Sequence, residues 1–319
     1  MSFIDTTAQV NGIKLAYQLH GNEQDPVLLL IHGLSTPLTG WPSNMVTRFV
    51  EQGFRVLLVD NRDIGQSQLQ DHLKIPNFVW FLLKKKLGFS ANPPYHLDDM
   101  KNDIVALLNH LEIDKVHVVG ASMGGMIAQL LAIHHPELVA TLTSIMSTTG
   151  DKSLPKMEKS VGEELAKKPK SNSYEDRVQY HINKWQLLGG ETYQENIDDL
   201  NEYVESMVKR GITAKGTARQ ILAILCAKNR TPLLSKLTIP SLVLHGDADT
   251  LVKVECGKAT AKAIPNSKLK IYPNMGHNFP SPILSEIVQD IVQFIQPHLS
   301  NPANSANSNN ALEPTNDSI

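Results

Sequence analysis

Short apolar runs that end in a polar or glycine-rich stretch recur along the first half of the chain. Three of them are apolar at almost every position, at residues 27–31, 54–59 and 116–119. Such runs are typical of strands buried on both faces of a parallel sheet. Residues 13–19 alternate instead and follow Asn11-Gly12, a pair that favours a tight hairpin turn. We therefore predict a hairpin that leads into a mostly parallel sheet.

Helical patterns separate the predicted strands. The clearest, residues 97–111, has acidic residues near its start and apolar residues at helical spacing, namely Ile104, Leu107, Leu108 and Leu111. A second helix, residues 123–134, directly follows the third apolar run and ends before Pro136. A shorter helix is predicted at residues 45–51, and the next strand at 141–147. Alternating strands and helices predict an α/β fold.

The pattern changes between residues 150 and 230. Charged helical stretches occupy residues 155–168, 174–188 and 196–210, and the apolar run at 221–226 is rich in Ala and Leu, which favours helix over strand. Strand patterns resume at 239–245 and 268–272, followed by a last helix at 285–295. The sequence thus predicts a helical insertion within an α/β chain.

These patterns predict four parts of the chain. Residues 1–149 and 236–298 form the core, with an excursion at 69–96, and residues 150–235 form a helical cap. Residues 299–319 are predicted to be a disordered tail, because a segment rich in Asn, Ser, Pro and Ala has too few apolar side chains to offset the entropy of ordering.

Within the excursion, residues 76–86 are first apolar and then basic, in the order Pro-Asn-Phe-Val-Trp-Phe-Leu-Leu-Lys-Lys-Lys. We expect the aromatic face of this segment to pack on the body of the protein, near the mouth of a pocket. A helix that lies on a membrane surface is the alternative interpretation.

Composition narrows the class of protein. The formal net charge is −2 with 41% hydrophobic residues, so nothing favours a nucleic-acid partner. No run is long enough to span a bilayer, and the N-terminus lacks the pattern of a signal peptide, so we expect a cytoplasmic protein without a membrane span. Cys226 and Cys256 lie outside any metal-binding pattern and are predicted to be reduced thiols. No nucleotide-binding loop is present, and we expect neither metal nor cofactor.

The first candidate catalytic motif is the stretch from Gly120 to Gly124, which matches G-x-S-x-G around Ser122. It lies directly after a predicted strand and at the start of a predicted helix. A sharp strand–turn–helix bend exposes the serine hydroxyl above the edge of the sheet. A glycine-rich turn with an uninvolved serine is the alternative interpretation. We predict that Ser122 is a nucleophile.

A nucleophilic serine needs a base and a group that orients the base. His277 follows the last predicted strand, and Asp247 and Asp249 follow the strand before it. All three lie at the carboxyl ends of strands, where ligands bind in open α/β sheets. We predict His277 as the base and Asp249 as the acid, with Asp247 bracing the turn; Asp247 as the acid is the alternative.

Two backbone N–H groups should stabilise a developing oxyanion. Met123, the residue after the nucleophile, supplies one. Leu34 is the predicted second donor, because His32-Gly33 bends the chain after the strand at 27–31. His32 and Gly33, like Gly120 and Gly124, are predicted to support the site, although His32-Gly33 could be only a turn. The charged loop at residues 60–65 is interpreted as a hydrogen-bonded support for the serine loop.

These motifs resemble those of the α/β-hydrolase superfamily over residues 8–298. They are His32-Gly33, the run at 60–67, Gly120 to Gly125, Gly246 to Asp249 and Gly276-His277. The run at 92–100 and residues 126–129 are similar to bacterial carboxylesterases of the aclacinomycin methylesterase-like group. The resemblance implies an eight-stranded, mostly parallel sheet flanked by helices, a helical cap, and metal-free hydrolysis through an acyl-enzyme on Ser122, Asp249 and His277.

We therefore predict a serine carboxylesterase that hydrolyses small to medium carboxylic esters. The partner is a small-molecule ester, and the oligomeric state is left open. The same residues could instead serve thioester, amide or C–C bond hydrolysis or acyl transfer. A receptor that binds a ligand on the same fold is a further alternative from another functional class.

Overall fold

The computed structural model describes residues 5–193 and 195–299. Its centre is one eight-stranded sheet in the order β1-β2-β4-β3-β5-β6-β7-β8. The strands are β1 (Thr6–Val10), β2 (Ile13–His20), β3 (Val27–Ile31), β4 (Arg55–Val59), β5 (Val116–Ala121), β6 (Val139–Ile145), β7 (Ser241–Gly246) and β8 (Lys268–Tyr272). Strands β3 to β8 are mutually parallel. This confirms the predicted α/β fold with a mostly parallel eight-stranded sheet.

The antiparallel part of the sheet is the N-terminal hairpin. Asn11 and Gly12 both have positive φ, at 49° and 76°, which is the backbone conformation that a two-residue hairpin turn requires. Val10 pairs with Ile13 across this turn. Strand β2 then pairs antiparallel with β4 and joins the hairpin to the parallel strands. The hairpin signal in the sequence is confirmed.

The helices are α1 (Ser43–Glu51), α2 (Phe78–Lys86), α3 (Leu97–His110), α4 (Met123–His134), α5 (Lys159–Leu165), α6 (Tyr174–Gly189), α7 (Ile197–Gly211), α8 (Ala214–Leu225), α9 (Thr231–Leu234), α10 (Val254–Ala263) and α11 (Leu284–Ile295). Both faces of the sheet are covered by helices. Alternate residues of a strand point to opposite faces. In β3, Leu28 and Leu30 therefore pack with α1 and α11, whereas Leu29 and Ile31 pack with α3 and α4.

The helical insertion lies between β6 and β7. Helices α6 and α7 bury apolar side chains against each other in a cluster separate from the two sheet cores, which includes Ile182, Val204 and Met207. Ile64 of the core also belongs to this cluster. An amphipathic helix is stabilised mainly by burial of its apolar face. The pairing of α6 with α7 explains why these two charged helices fold here.

The segment at residues 76–86 differs from expectation. It forms α2, but only Phe81 of this helix is buried, and Trp80 is 63% exposed. Phe89, just beyond the helix, is exposed as well. The prediction that the aromatic face of residues 76–86 packs on the body was therefore right for Phe81 and wrong for Trp80. Hydrophobicity alone does not show which side of a short helix finds a partner.

Three remaining points concern helix α10, the predicted C-terminal tail and membrane-spanning helices. Helix α10 was not predicted, because its Lys- and Ala-rich sequence lacks a strong apolar stripe. Residues 300–319 of the predicted tail lie outside the described residues. Across residues 5–193 and 195–299, none of the helices combines the length and apolar character needed to cross a lipid bilayer.

Candidate active site

Ser122 sits on a sharp turn between β5 and α4. Its backbone has φ 55° and ψ −118°, a conformation that is rare for a residue with a side chain. The Ser122 N–H donates to the Ile145 carbonyl at 2.9 Å, and the Ser147 hydroxyl donates to the Ser122 carbonyl at 2.7 Å. These bonds from β6 and the segment after it hold the turn in place.

The glycines of the G-x-S-x-G stretch are explained by close packing. A Cβ on Gly120 would collide with the backbone of Gly124, and a Cβ on Gly124 would collide with the carbonyl oxygen of Ile31. Neither glycine has a positive φ, so space and not backbone conformation requires them. The same contacts press the start of α4 against the end of β3, and they bring the loop after β3 to Ser122.

Gly33 is the residue of this loop that contacts the candidate nucleophile. A Cβ on Gly33 would lie 3.0 Å from Ser122 Cβ and 3.5 Å from Ser122 Oγ. Leu34 is the next residue, and Met123 begins α4, where the first N–H groups have no acceptor within the helix. The two predicted oxyanion donors therefore belong to two chain segments that meet at Ser122, the loop after β3 and the start of α4.

His32 fixes the conformation of the loop after β3. Its Nε2 donates to the Gly40 carbonyl at 3.0 Å, so its Nδ1 is free to accept the Gly33 N–H at 2.7 Å. Burial, together with the charge of His277, lowers the pKa of His32 to about 3. A neutral His32 thus uses both ring nitrogens to hold Gly33 against Ser122.

Asp249 and His277 form a buried pair. Nδ1 of His277 donates to Asp249 Oδ2 at 2.6 Å, and the two residues are 7% and 1% exposed. The other oxygen of Asp249 accepts the N–H groups of Leu251 and Val252, at 2.9 and 2.8 Å. With the Nδ1 proton held by Asp249, Nε2 of a neutral His277 can accept a proton.

Asp247 lies outside this pair. It is exposed, and its Oδ1 accepts the backbone N–H of Asn274 at 2.6 Å. This bond joins the loop after β7 to the loop after β8. The structure therefore places Asp249, and not Asp247, against His277, and it gives Asp247 the bracing contact expected from its position in a turn.

His245 is a residue of this site that the sequence analysis missed. It is fully buried, and its Nε2 donates to the Val252 carbonyl at 2.7 Å while lying 3.3 Å from Asp249 Oδ2. Burial alone would raise the pKa of Asp249, but the charge of His277 and hydrogen bonds from His245 and His277 hold it below its usual value. A histidine within a strand gave no local signal of this role.

The insertion contacts the histidine loop directly. The His277 N–H donates to the Leu188 carbonyl of α6 at 2.7 Å, and a Cβ on Gly276 would collide with the same oxygen. Gly276 therefore lets α6 approach the loop.

Among the described residues no hydrogen bond joins Ser122 Oγ to His277. Contacts between a nucleophile and its base are often long before substrate binds.

The charged loop at residues 60–65 supports a different segment from the one expected. Asp60 accepts the Leu38 N–H at 2.7 Å, and the Asn61 amide donates to the His32 carbonyl at 3.1 Å. Both contacts hold the loop after β3 and not the serine loop. The expectation was therefore right about the hydrogen-bonded support and wrong about its target.

The same loop anchors the insertion. Arg210 of α7 donates to Asp60 at 2.8 Å, and Arg219 of α8 donates to Asp63 at 2.8 and 2.7 Å. All four side chains are nearly or fully buried. Buried pairs of this kind fix geometry, because removal of one partner leaves an uncompensated charge.

Side chains that could bind a metal ion do not form a cluster among the described residues. In the part of the chain that the structure describes, no three His, Cys, Asp or Glu side chains converge as ligands of a metal ion would. His135 instead lies 3.3 Å from Glu137 on the surface. Cys226 and Cys256 are both free thiols.

Comparison with known proteins agrees with this geometry. Residues 26–280 match the model of a family described as alpha/beta hydrolase fold. The chain is 27% identical to rhodomycin D methylesterase DnrP of Streptomyces peucetius over 286 residues, covering 82% of this chain and 87% of that protein. It is also 27% identical to 3-oxoadipate enol-lactonase 2 of Acinetobacter baylyi, covering 84% and 88%. The resemblance drawn from the sequence motifs is confirmed.

A solved structure shows the same fold. The esterase EaEST from Exiguobacterium antarcticum superposes with a TM-score of 0.71 at 18% identity, covering 92% of this chain and 100% of that chain.

Proposed function

Because the chain belongs to the alpha/beta hydrolase family, we propose that it is a serine carboxylesterase. The observation that carries this proposal is the buried Asp249–His277 pair, which follows β7 and β8 at the sheet edge where Ser122 follows β5. The strained turn at Ser122 supports it, since backbone strain of this kind concentrates at functional sites.

Each residue then has one role. His277 Nε2 removes the Ser122 proton as Oγ attacks the carbonyl carbon of the ester, and the N–H groups of Leu34 and Met123 stabilise the oxyanion. The tetrahedral intermediate collapses, the bond to the alkoxy oxygen breaks, and His277 protonates the leaving alcohol. Water, deprotonated by His277, then attacks the acyl-enzyme, and the acid leaves as Ser122 recovers its proton.

Asp249 acts on the histidine and not on the ester. Its carboxylate holds the Nδ1 proton of His277 and stabilises the imidazolium that forms in each half of the reaction. Two backbone N–H groups fix the other Asp249 oxygen, so the direction of the carboxylate does not depend on substrate. His32 and Asn61 hold the loop that carries Leu34.

The choice of an ester draws support from the relatives. DnrP is named a methylesterase and the Acinetobacter protein an enol-lactonase, and both names denote cleavage of an ester bond. The substrate we propose is a small to medium carboxylic ester.

The test is hydrolysis of p-nitrophenyl esters from acetate to palmitate. We expect turnover by the wild type and a loss of at least about 10³-fold in Ser122→Ala. Ser235→Ala, a matched change of an exposed serine that directly follows α9, should keep wild-type turnover. A fluorophosphonate probe should label Ser122 in the wild type and in Ser235→Ala.

Two outcomes would contradict the proposal. Wild-type turnover in Ser122→Ala would remove Ser122 as nucleophile. Labelling of Ser122 without turnover of any ester would keep the nucleophile and exclude the ester as substrate class.

A further inference from the structure

A cavity of about 640 Å³ lies beside the proposed catalytic site, between α6 and α7 of the insertion and two segments of the core. The core segments are residues 38–46, which follow His32 and include the start of α1, and residues 278–281, which follow His277. Ser122, Asp249 and His277 are not among its lining residues. Its volume is in the range of small-molecule binding sites.

Two aromatic pairs form walls of the cavity, one from the core and one from the insertion. The rings of Trp41 and Phe279 from the core have centroids 5.1 Å apart, and those of Trp185 and Tyr203 from the insertion are 5.3 Å apart. Tyr203 donates to the Gly40 carbonyl at 2.6 Å, which ties the second wall to the core. The rings of Trp185 and Tyr203, which are only partly buried, offer apolar area and π-faces to a ligand.

The charged side chains among the described lining of the cavity are carboxylates. Glu195, Asp199 and Glu202 line the cavity, and within the described lining there is no Lys or Arg. Glu195 is fixed by accepting the Ser281 N–H at 2.8 Å and the Ser281 hydroxyl at 2.6 Å. Burial lowers the pKa of His20, the lining imidazole, and so keeps it neutral at pH 7. Carboxylates and aromatic faces both attract a cation.

We propose that this cavity binds a protonated organic amine with an aromatic body. The walls contact the aromatic body, and the carboxylates and π-faces attract the ammonium group. The site is distinct from the proposed nucleophile, so binding does not require turnover.

The chain permits a direct binding assay. It contains three tryptophans, of which Trp41 and Trp185 line the cavity and Trp80 is exposed on α2. In a Trp80→Phe background the fluorescence therefore reports on the cavity alone. Titration with benzylamine, benzyl alcohol and benzoate compares a cation, a neutral molecule and an anion of nearly equal size. We expect benzylamine to bind at least about tenfold tighter than the other two.

Two double variants test whether the carboxylates of the cavity cause the preference for benzylamine. Asp199→Asn/Glu202→Gln removes two exposed carboxylates of the cavity and should weaken benzylamine about three- to tenfold. Glu163→Gln/Glu164→Gln makes the same change in charge on α5, away from the cavity, and should leave its affinity unchanged. Equal binding of benzylamine and benzyl alcohol, an equal effect of the two double variants, or no fluorescence response would each overturn the proposal.

A second, independent observation concerns α2. Six of the thirteen exposed large apolar side chains among the described residues lie within residues 79–89: Val79, Trp80, Leu82, Leu83, Leu87 and Phe89. Exposed apolar side chains are usually scattered, and a concentration of this kind marks a binding surface. The segment is held to the body by Phe81, which is buried, and by Cys226, whose thiol donates to the Ala91 carbonyl at 3.3 Å.

The positive charge beside these exposed apolar side chains favours an anionic partner. Residues 72–97 contain four lysines, three of them at the C-terminal end of α2, and no Asp or Glu. We infer that α2 binds the surface of an anionic lipid bilayer, with Trp80 and its apolar neighbours in the interface and the exposed Lys84 and Lys86 at the headgroups. This segment lies on the surface and does not span the bilayer.

Vesicles test this inference with the full chain. We expect binding to vesicles of phosphatidylcholine with phosphatidylglycerol at least about tenfold tighter than to phosphatidylcholine alone, and weakened by salt. Trp80→Glu should abolish binding, whereas Met157→Glu, at another exposed apolar residue, should not. Equal binding to both vesicles, or a dimer in solution that Trp80→Glu dissociates while vesicle binding is absent, would overturn the inference.

Discussion

The buried imidazole of His245 lies, through its Nε2 atom, 3.3 Å from the same Asp249 oxygen that accepts the proton of His277. His245 also donates to the Val252 carbonyl, and Val252 in turn donates its N–H to Asp249. The carboxylate is thus held by a closed set of contacts within one loop.

The choice of acid can be tested by two matched substitutions. Asp249→Asn should lower kcat/KM for p-nitrophenyl acetate by about 10³–10⁴-fold, because the amide no longer holds the required tautomer of His277. Asp247→Asn changes an exposed side chain that only braces a turn, so it should cost less than about tenfold. The reverse order of these two effects would assign the acid to Asp247.

His245 should act as a positioning residue. His245→Leu removes a buried hydrogen bond to Val252 and should lower kcat/KM by about five- to 100-fold. His245→Gln keeps an N–H donor and should recover part of that loss. The pH profile of kcat/KM separates this role from a structural one, because a misplaced Asp249 changes the pH dependence of the reaction, whereas a loss of folded protein only lowers the rate at every pH. An unshifted profile in His245→Leu would contradict the assignment.

The packing of Gly124 should be visible in stability. Gly124→Ala places a Cβ against the Ile31 and His32 carbonyls, and we expect the free energy of unfolding to fall by about 1–3 kcal/mol. Gly162→Ala, in the exposed helix α5, meets only the flexible side chain of Met157 and should be neutral or stabilising. Urea denaturation measures both, and equal losses would show that packing at the elbow is not the cause.

His32 should make stability depend on pH. Its pKa is about 3 in the folded chain against an ordinary value of 6.5, so between these two pH values the unfolded state binds one more proton. The free energy of unfolding should therefore fall as pH decreases through this window, by up to about 1.4 kcal/mol per pH unit from this group.

His32→Asn should show a shallower slope in the same window. His72→Asn removes an exposed histidine and should keep the wild-type slope. Urea denaturation at several pH values between 4 and 6 compares the three chains, and identical slopes would mean that His32 is not buried in its neutral form.

Local sequence determined the parts of the fold that depend on neighbours along the chain. Continuous apolar runs gave the buried strands, Asn11-Gly12 gave the hairpin, and G-x-S-x-G gave a turn between strand and helix. Each of these signals works because backbone geometry and side-chain period are properties of a few consecutive residues. The carboxyl ends of parallel strands share one edge, so the sequence also brought Ser122, Asp249 and His277 to that edge.

Only the tertiary structure decided which side chains meet there. Asp247 and Asp249 are two residues apart in sequence, and the path of the loop after β7 directs Asp249 inward and leaves Asp247 exposed. The contact of His245 with Asp249, the exposure of Trp80 and the cavity beside Trp41 likewise depend on segments distant in the chain. Their positions follow from the packing of the insertion on the sheet, which no local pattern encodes.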